Sequence, residues 1–236
     1  MGKKVLLGGG SGLVGNRLSQ LLTNKGYDVW VLSRSAKGEK NTIEWDVKNQ
    51  KLDASAIADY DHIINLTGAG IVDEPWTDER KKEIVDSRVK STELLAKAIS
   101  SNSNKPKSFV SASAVGYYGF VTGEHIFKEN DASGNDFLAE SCELWELSTN
   151  SIKKLGIPTA VIRIGIVLDK NQLDFFYKKL LTTIQWKNDE ALIFGKKIIT
   201  KRKVAWYGDK EFSYTYSGIT KTALLFTEEL LALKKI

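Results

Sequence analysis

The chain has 236 residues, 42% of them hydrophobic, with 34 Lys and Arg against 29 Asp and Glu and one cysteine. That hydrophobic share supports a packed core and excludes a disordered chain, while the lone Cys142 excludes an internal disulfide framework. No apolar run reaches the roughly 18 residues of a membrane span, and glycines interrupt the run after Lys3-Lys4 too early for a signal peptide, so no membrane association and a cytoplasmic location are expected.

The net charge of +5 is unevenly placed. Residues 1–170 balance 22 basic against 22 acidic side chains, whereas residues 171–236 carry 12 against 7, together with 11 aromatics. The chain changes character near residue 170, which divides it into an expected first domain over 1–169 and a second segment over 170–236.

The first element is a short apolar strand, Val5 to Leu7, feeding Gly8-Gly9-Gly10-Ser11-Gly12-Leu13-Val14-Gly15 and an amphipathic stretch from Leu13 to Leu22. Strand, glycine turn and helix in that order, with Gly9, Gly12 and Gly15 three apart, form a dinucleotide-binding pattern. The turn lets backbone approach a pyrophosphate, and the helix N-terminus faces the phosphates. Asp28 to Ser33 reads as the second strand, Thr42 to Trp45 as a short third and Asp61 to Leu66 as a fourth. Thr77 to Ser100 is a long helix with Thr77 as N-cap, Ser108 to Ser113 a fifth strand, Phe137 to Leu155 a helix ended by Gly156 and Pro158, and Thr159 to Ile164 a sixth strand. This alternation predicts an α/β fold of the Rossmann type, a doubly wound parallel sheet, followed by a small α+β fragment.

Cofactor choice is read at the end of the second strand. Ser33-Arg34 stands where a carboxylate would select NAD; a hydroxyl and a guanidinium suit a 2′-phosphate, so NADP(H) is expected. Asp46 either bonds the adenine or starts a turn, and Asn65-Leu66-Thr67-Gly68-Ala69-Gly70 supplies a second glycine turn beside the cofactor.

The segments Gly8 to Gly15, Ile64 to Ile71, Trp76-Thr77, Asp86-Ser87-Arg88-Val89, Ser113-Ala114-Val115-Gly116-Tyr117-Tyr118-Gly119 and Arg163 to Leu168 together resemble the extended short-chain dehydrogenase/reductases, in their atypical NAD(P)-dependent epimerase branch, often labelled sugar-nucleotide epimerase or cell-division-inhibitor-like. The resemblance implies that Gly9, Gly12 and Gly15 meet the pyrophosphate, Arg34 the 2′-phosphate, and Gly68 and Ala69 the adenosine half; Ser11, Leu13, Val14, Ser33, Asp46, Leu66 and Thr67 are the further cofactor-binding candidates. It also implies a Ser or Thr that polarises the substrate oxygen, for which Ser113 stands, and a Tyr-x-x-x-Lys pair as acid/base. Phe137-Leu138-Ala139-Glu140-Ser141-Cys142 supplies neither phenol nor ammonium, leaving Tyr117 or Tyr118 as proton donor or as packing aromatics. Impaired or absent catalysis is therefore expected of an epimerase/oxidoreductase-like protein. Cys142 reads as a buried thiol.

Beyond residue 170 the epimerase pattern stops. Leu173 to Ile184 reads as an amphipathic helix, Lys203 to Trp206 and Phe212 to Tyr216 as strands around Gly208-Asp209-Lys210, and Thr227 as the cap of a short helix. Phe194-Gly195-Lys196, Lys201-Arg202-Lys203, Trp206-Tyr207-Gly208-Asp209 and Tyr214 to Gly218 resemble the front part of AlkB-like iron- and 2-oxoglutarate-dependent dioxygenases over about residues 173–236. That resemblance implies a nucleic-acid-facing surface through Lys201, Arg202, Lys203, Trp206 and Tyr207, against the alternative that the aromatics pack a small sheet. No iron is expected, because His62 and His125 both precede this segment and neither opens a His-x-Asp pair. A non-catalytic product of fused gene fragments is the remaining alternative.

Overall fold

The computed structural model describes residues 2–35, 38–71, 73–119, 125–165 and 167, and the backbone of short strands between 185 and 213. The chain divides into two compact units, Met1–Val167 and Leu168–Ile236.

The first unit is an α/β Rossmann-type layer structure. Strands β1 (Lys4–Gly8), β2 (Asp28–Ser33), β3 (Thr42–Asp46), β4 (Lys51–Leu52), β5 (His62–Asn65), β6 (Ser108–Ala114) and β7 (Thr159–Ile164) alternate with helices α1 (Leu13–Asn24), α2 (Asp78–Ser100), α3 (Phe137–Ser148) and α4 (Asn150–Lys153). The sheet order is β4-β3-β2-β1-β5-β6-β7. Every neighbouring pair is parallel except β3 with β4. Strands are added outward from β1 in one direction up to β4 and in the other from β5, so the carboxyl ends of the parallel β1 and β5 frame a crevice. That crevice is where ligands of open α/β sheets bind. β1 is buried from Val5 through Gly8, which suits a central strand covered on both faces. Leu6, Leu32, Trp45, Ile63, Leu95, Ile99, Phe109 and Ile152 close the core around it.

α2 begins as the sequence leads one to expect. Thr77 accepts a hydrogen bond from the Arg80 amide at 3.2 Å, and Asp78 and Glu79 occupy the first turn, where the helix dipole favours negative charge. Thr77→Ala is expected to cost about 1 kcal/mol of unfolding free energy, read from the urea midpoint at unchanged slope.

The helix expected over 137–155 is two. α3 ends at Ser148 and α4 begins at Asn150. Ser148, Thr149 and Ser151 turn their hydroxyls back onto the carbonyls of Trp145, Glu146 and Ser148 at 2.6 Å. Such back-bonding competes with the helical ladder and favours a break. The two-residue β4 gives no sequence pattern long enough to read. No helix among the described residues is long and apolar enough to cross a membrane.

In the second unit, β8 (Gln185–Lys187), β9 (Glu190–Ile193) and β10 (Lys196–Thr200) form an antiparallel sheet in the order β10-β9-β8. β11 (Lys203–Trp206) and β12 (Lys210–Ser213) form a separate antiparallel ladder pairing Lys203 with Ser213 and Trp206 with Lys210. β11 has the expected bounds, while β12 starts at Lys210, before the expected Phe212. The helices expected at 173–184 and after Thr227 lie outside the described residues, as do Tyr214 and Tyr216.

Candidate functional site

The crevice between β1 and β5 is built from glycines that admit no side chain. Gly9 has φ +76°, in the left-handed region that favours glycine, and a Cβ there would sit 2.8 Å from the carbonyl of Leu66 and 3.1 Å from the amide nitrogen of Thr67. At Gly15, the first buried residue of α1, a Cβ would fall on the Gly9 carbonyl oxygen and within 2.7 Å of the Gly10 Cα. The turn is closed by the Gly12 amide donating to the Gly9 carbonyl at 3.1 Å. Gly12 is the N-cap of α1. It offers no capping side chain, and no acidic residue lies in the first turn. The helix therefore presents uncapped amides and the positive end of its dipole to the crevice, with Ser11 and Gly12 exposed and Leu13 and Val14 half-buried behind them.

The second glycine turn lies against the first. Asn65, fully buried at the end of β5, donates to Ser91 Oγ at 3.1 Å and Thr92 Oγ1 at 3.2 Å on α2, and accepts from the Thr67 amide. α2 then holds the turn from below. The Ala69 amide donates to Ser87 Oγ at 2.9 Å, Arg88 Nη2 donates to the Ala69 carbonyl at 3.1 Å, and Arg80 Nη2 donates to the Gly70 carbonyl at 2.6 Å. Leu66, Thr67, Gly68 and Ala69 are thus fixed beside Gly9.

Ser33 ends β2, next to β1 in parallel register, and Arg34 follows it with its side chain exposed. Ser33 Oγ is shared locally with Ser35, accepting from its amide at 3.3 Å. Asp46, at the end of β3, starts a turn. Its two carboxylate oxygens accept from the Asn49 amide at 2.9 Å and side chain at 2.7 Å, bonds that hold its carboxyl below the usual aspartate range.

On the strand next to β5, Ser113, almost fully buried near the carboxyl end of β6, donates to Glu146 Oε1 of α3 at 2.7 Å. Arg163 of β7 grips the same carboxylate with two bonds, Nε to Oε1 at 2.8 Å and Nη2 to Oε2 at 2.9 Å. Burial pushes the Glu146 carboxyl up, but the Arg163 and Ser113 bonds outweigh it and the net direction is down; the same pair drives the Arg163 guanidinium up. Arg163 also donates to Tyr118 Oη at 2.8 Å and lies 3.5 Å over the Tyr117 ring. Tyr118 donates its own proton to the Lys128 carbonyl at 2.9 Å and stacks on Phe127. Its phenol is committed, whereas the Tyr117 hydroxyl makes no hydrogen bond among the described residues. Cys142 is buried one turn before Glu146, and burial pushes its thiol up.

Glu146 and Arg163 were not singled out by the sequence, although a carboxylate four residues after Cys142 on one helix face was visible there. Of the basic and aromatic positions proposed for nucleic acid, Lys203 and Trp206 bound β11, while Lys201, Arg202 and Tyr207 lie outside the described residues.

The family model described as the NAD dependent epimerase/dehydratase family matches residues 5–148. The epimerase family protein Mb2239 of Mycobacterium bovis is 33% identical over 164 residues, 70% of this chain and 54% of that protein. The nucleoside-diphosphate sugar epimerase of Corynebacterium glutamicum superposes with a TM-score of 0.66 at 30% identity, covering 80% of this chain and 40% of that one. Human epimerase family protein SDR39U1, crystallised with NADPH, superposes with a TM-score of 0.64 at 28% identity, covering 76% of this chain and 60% of that one. The chain spans about half the length of the curated relative it matches. These relatives give no support to the dioxygenase resemblance of 173–236 or to a fused origin. With the glycine turns, the sheet order and the matched stretch in agreement, the chain belongs to the NAD dependent epimerase/dehydratase family.

Proposed function

We propose that this chain is an NADP(H)-binding protein of the epimerase/oxidoreductase type in which Ser113 meets the substrate oxygen. One observation carries the reading: at the β1/β5 crevice, Cβ atoms at Gly9 and Gly15 would strike backbone, beside a helix N-terminus with no capping side chain. That cradle fits a pyrophosphate. The human relative crystallised with NADPH supports the same ligand.

Within this reading the backbone of Gly9 to Gly15 holds the pyrophosphate, Leu66 to Ala69 border the adenosine half, and Ser33 and Arg34 receive the 2′-phosphate. The nicotinamide, when bound, supplies hydride chemistry at a carbinol or carbonyl carbon. Ser113 gives its own proton to Glu146, so what it presents to a ligand is a lone pair, suited to a hydroxyl donor. Helix α3 sets Cys142 and Glu146 toward Ser113, with no phenol and ammonium there. A tyrosine proton source is accordingly left to Tyr117, and slow or absent turnover is part of the proposal.

Fluorescence titration with NADPH and NADH tests it. NADPH is expected to bind more tightly, and Arg34→Asp is expected to weaken NADPH by about tenfold or more while changing NADH little, since one charge-assisted phosphate contact is lost. Binding of neither nucleotide below millimolar concentration sinks the reading; equal losses for both would remove Arg34 from it.

A further inference from the structure

Arg88 is a buried cation with no anion. Its residue is 8% exposed, yet no carboxylate lies within ion-pairing distance of it among the described residues. Among the described residues two of its five N–H groups are used, Nη1 on the Ile84 carbonyl at 2.8 Å and Nη2 on the Ala69 carbonyl at 3.1 Å. One face of the guanidinium packs under Gly68, where a Cβ would come within 2.9 Å of Cζ, and Cζ lies 5.1 Å from the centre of the Trp145 ring. Burial disfavours the charged form and pulls the guanidinium below its ordinary value, opposed by Cys142 and assisted by Arg80. The contrast with its neighbours is plain. Arg80 pairs with Glu83 at 2.7 Å, and Arg163 with Glu146 at 2.8 Å.

Buried charges in proteins are paired, because an isolated one loses its hydration without a return. The counter-ion Arg88 lacks is therefore sought among ligands. The stretch Leu66 to Ala69 tells which. Gly9 of the phosphate-facing turn abuts Leu66 and Thr67, and the guanidinium underlies Gly68 and Ala69, two residues further along. Thr67 Oγ1, on the same stretch, is buried beside Gly8 and Asn65 and has no hydrogen-bond partner among the described residues. A guanidinium without a carboxylate, held on α2 directly under this turn, is complementary to a phosphate.

We infer that Arg88 is the cation that balances the phosphates of the bound dinucleotide, acting from beneath the Gly68–Ala69 turn. The inference rests on the dinucleotide reading and adds to it a residue outside the glycine turn and the 2′-phosphate corner. In the low-dielectric floor of the crevice such a charge is felt across the turn even where it does not touch the ligand.

The test uses the full chain as wild type, Arg88→Gln and Arg88→Lys, each checked for folding by circular dichroism and titrated with NADPH and with adenosine, which has the base and ribose but no charge. Arg88→Gln is expected to weaken NADPH by about ten- to a hundredfold, the value of a lost charge-assisted contact, and to leave adenosine unchanged. Arg88→Lys, which keeps the charge, is expected to recover most of the NADPH affinity. Inorganic pyrophosphate is expected to raise the melting temperature of the wild type and not of Arg88→Gln. Equal NADPH affinity in wild type and Arg88→Gln overturns the inference. So does an equal loss of adenosine and NADPH, which would make Arg88 a clamp for the turn and nothing more. If Arg88→Gln does not fold, Arg88→Lys and pyrophosphate decide: no thermal shift of a wild type that binds NADPH, or loss of NADPH binding in a folded Arg88→Lys as severe as that from Arg34→Asp, overturns it. A wild type that binds no NADPH refutes the dinucleotide reading itself, a separate result.

Discussion

Gly15→Val is expected to abolish NADPH binding and to lower the unfolding free energy by about 3 kcal/mol, the upper range for overpacking a fixed interior. The reason is that both obstacles are backbone. The added Cβ would land on the Gly9 carbonyl oxygen and press the Gly10 Cα at 2.7 Å, and neither can rotate away as a side chain could. Nor can Gly9 retreat, since it sits in a left-handed conformation with its own Cβ position 2.8 Å from Leu66 backbone. The strain must be relieved by moving α1 off the turn. That displaces the uncapped amides whose aim toward the crevice is the basis of the proposed phosphate binding. Urea unfolding and NADPH fluorescence titration read the two effects separately. A folded Gly15→Val that keeps NADPH affinity would show that the helix N-terminus is not where the phosphates bind.

The same glycines explain why this part of the molecule was legible beforehand. A turn that forbids a Cβ at several positions leaves a pattern that few other structures require, and β2, α2 and β7 have alternating or helical apolar periods strong enough to read. Thr77 was visible because an N-cap is a one-residue rule that tertiary packing seldom overrides. The break at Thr149 was not, because its cause is three hydroxyls folding onto carbonyls, a choice between two local bonding patterns that composition does not settle. The site divides in the same way. Gly9, Gly15 and the Gly68 turn are dictated by backbone sterics and so can be read in one sequence. Glu146, Arg163 and Arg88 matter through partners 17 or more residues away, or through the lack of one, and that information exists only once β6, β7, α2 and α3 are placed side by side. A search for Tyr-x-x-x-Lys looks for residue types; what α3 sets toward Ser113 is a carboxylate that another strand neutralises.

That carboxylate carries the second large effect. Glu146→Ala would strand the Arg163 guanidinium and the Ser113 hydroxyl together, and removing one partner of a largely buried ion pair is strongly destabilising. Both side chains keep some solvent, 18% for Glu146 and 17% for Arg163, so the expected loss is discounted to about 2–3 kcal/mol. Acid then discriminates an ionic link from mere packing. Glu146 has a folded-state value depressed below the ordinary glutamate 4.5, so its contribution is fully present above that value and disappears as pH falls through the folded value. The stability gap between wild type and Glu146→Gln should therefore be constant from neutrality down to about pH 5 and close progressively below it. Several other carboxylates, Asp61 and Asp131 among them, are depressed as well, so only the difference between the two proteins isolates Glu146. A gap that stays constant into strong acid would mean that the amide replaces the carboxylate without electrostatic loss. Ser113 would then be held by shape alone, and its presentation of a lone pair to a ligand hydroxyl would lose its physical basis.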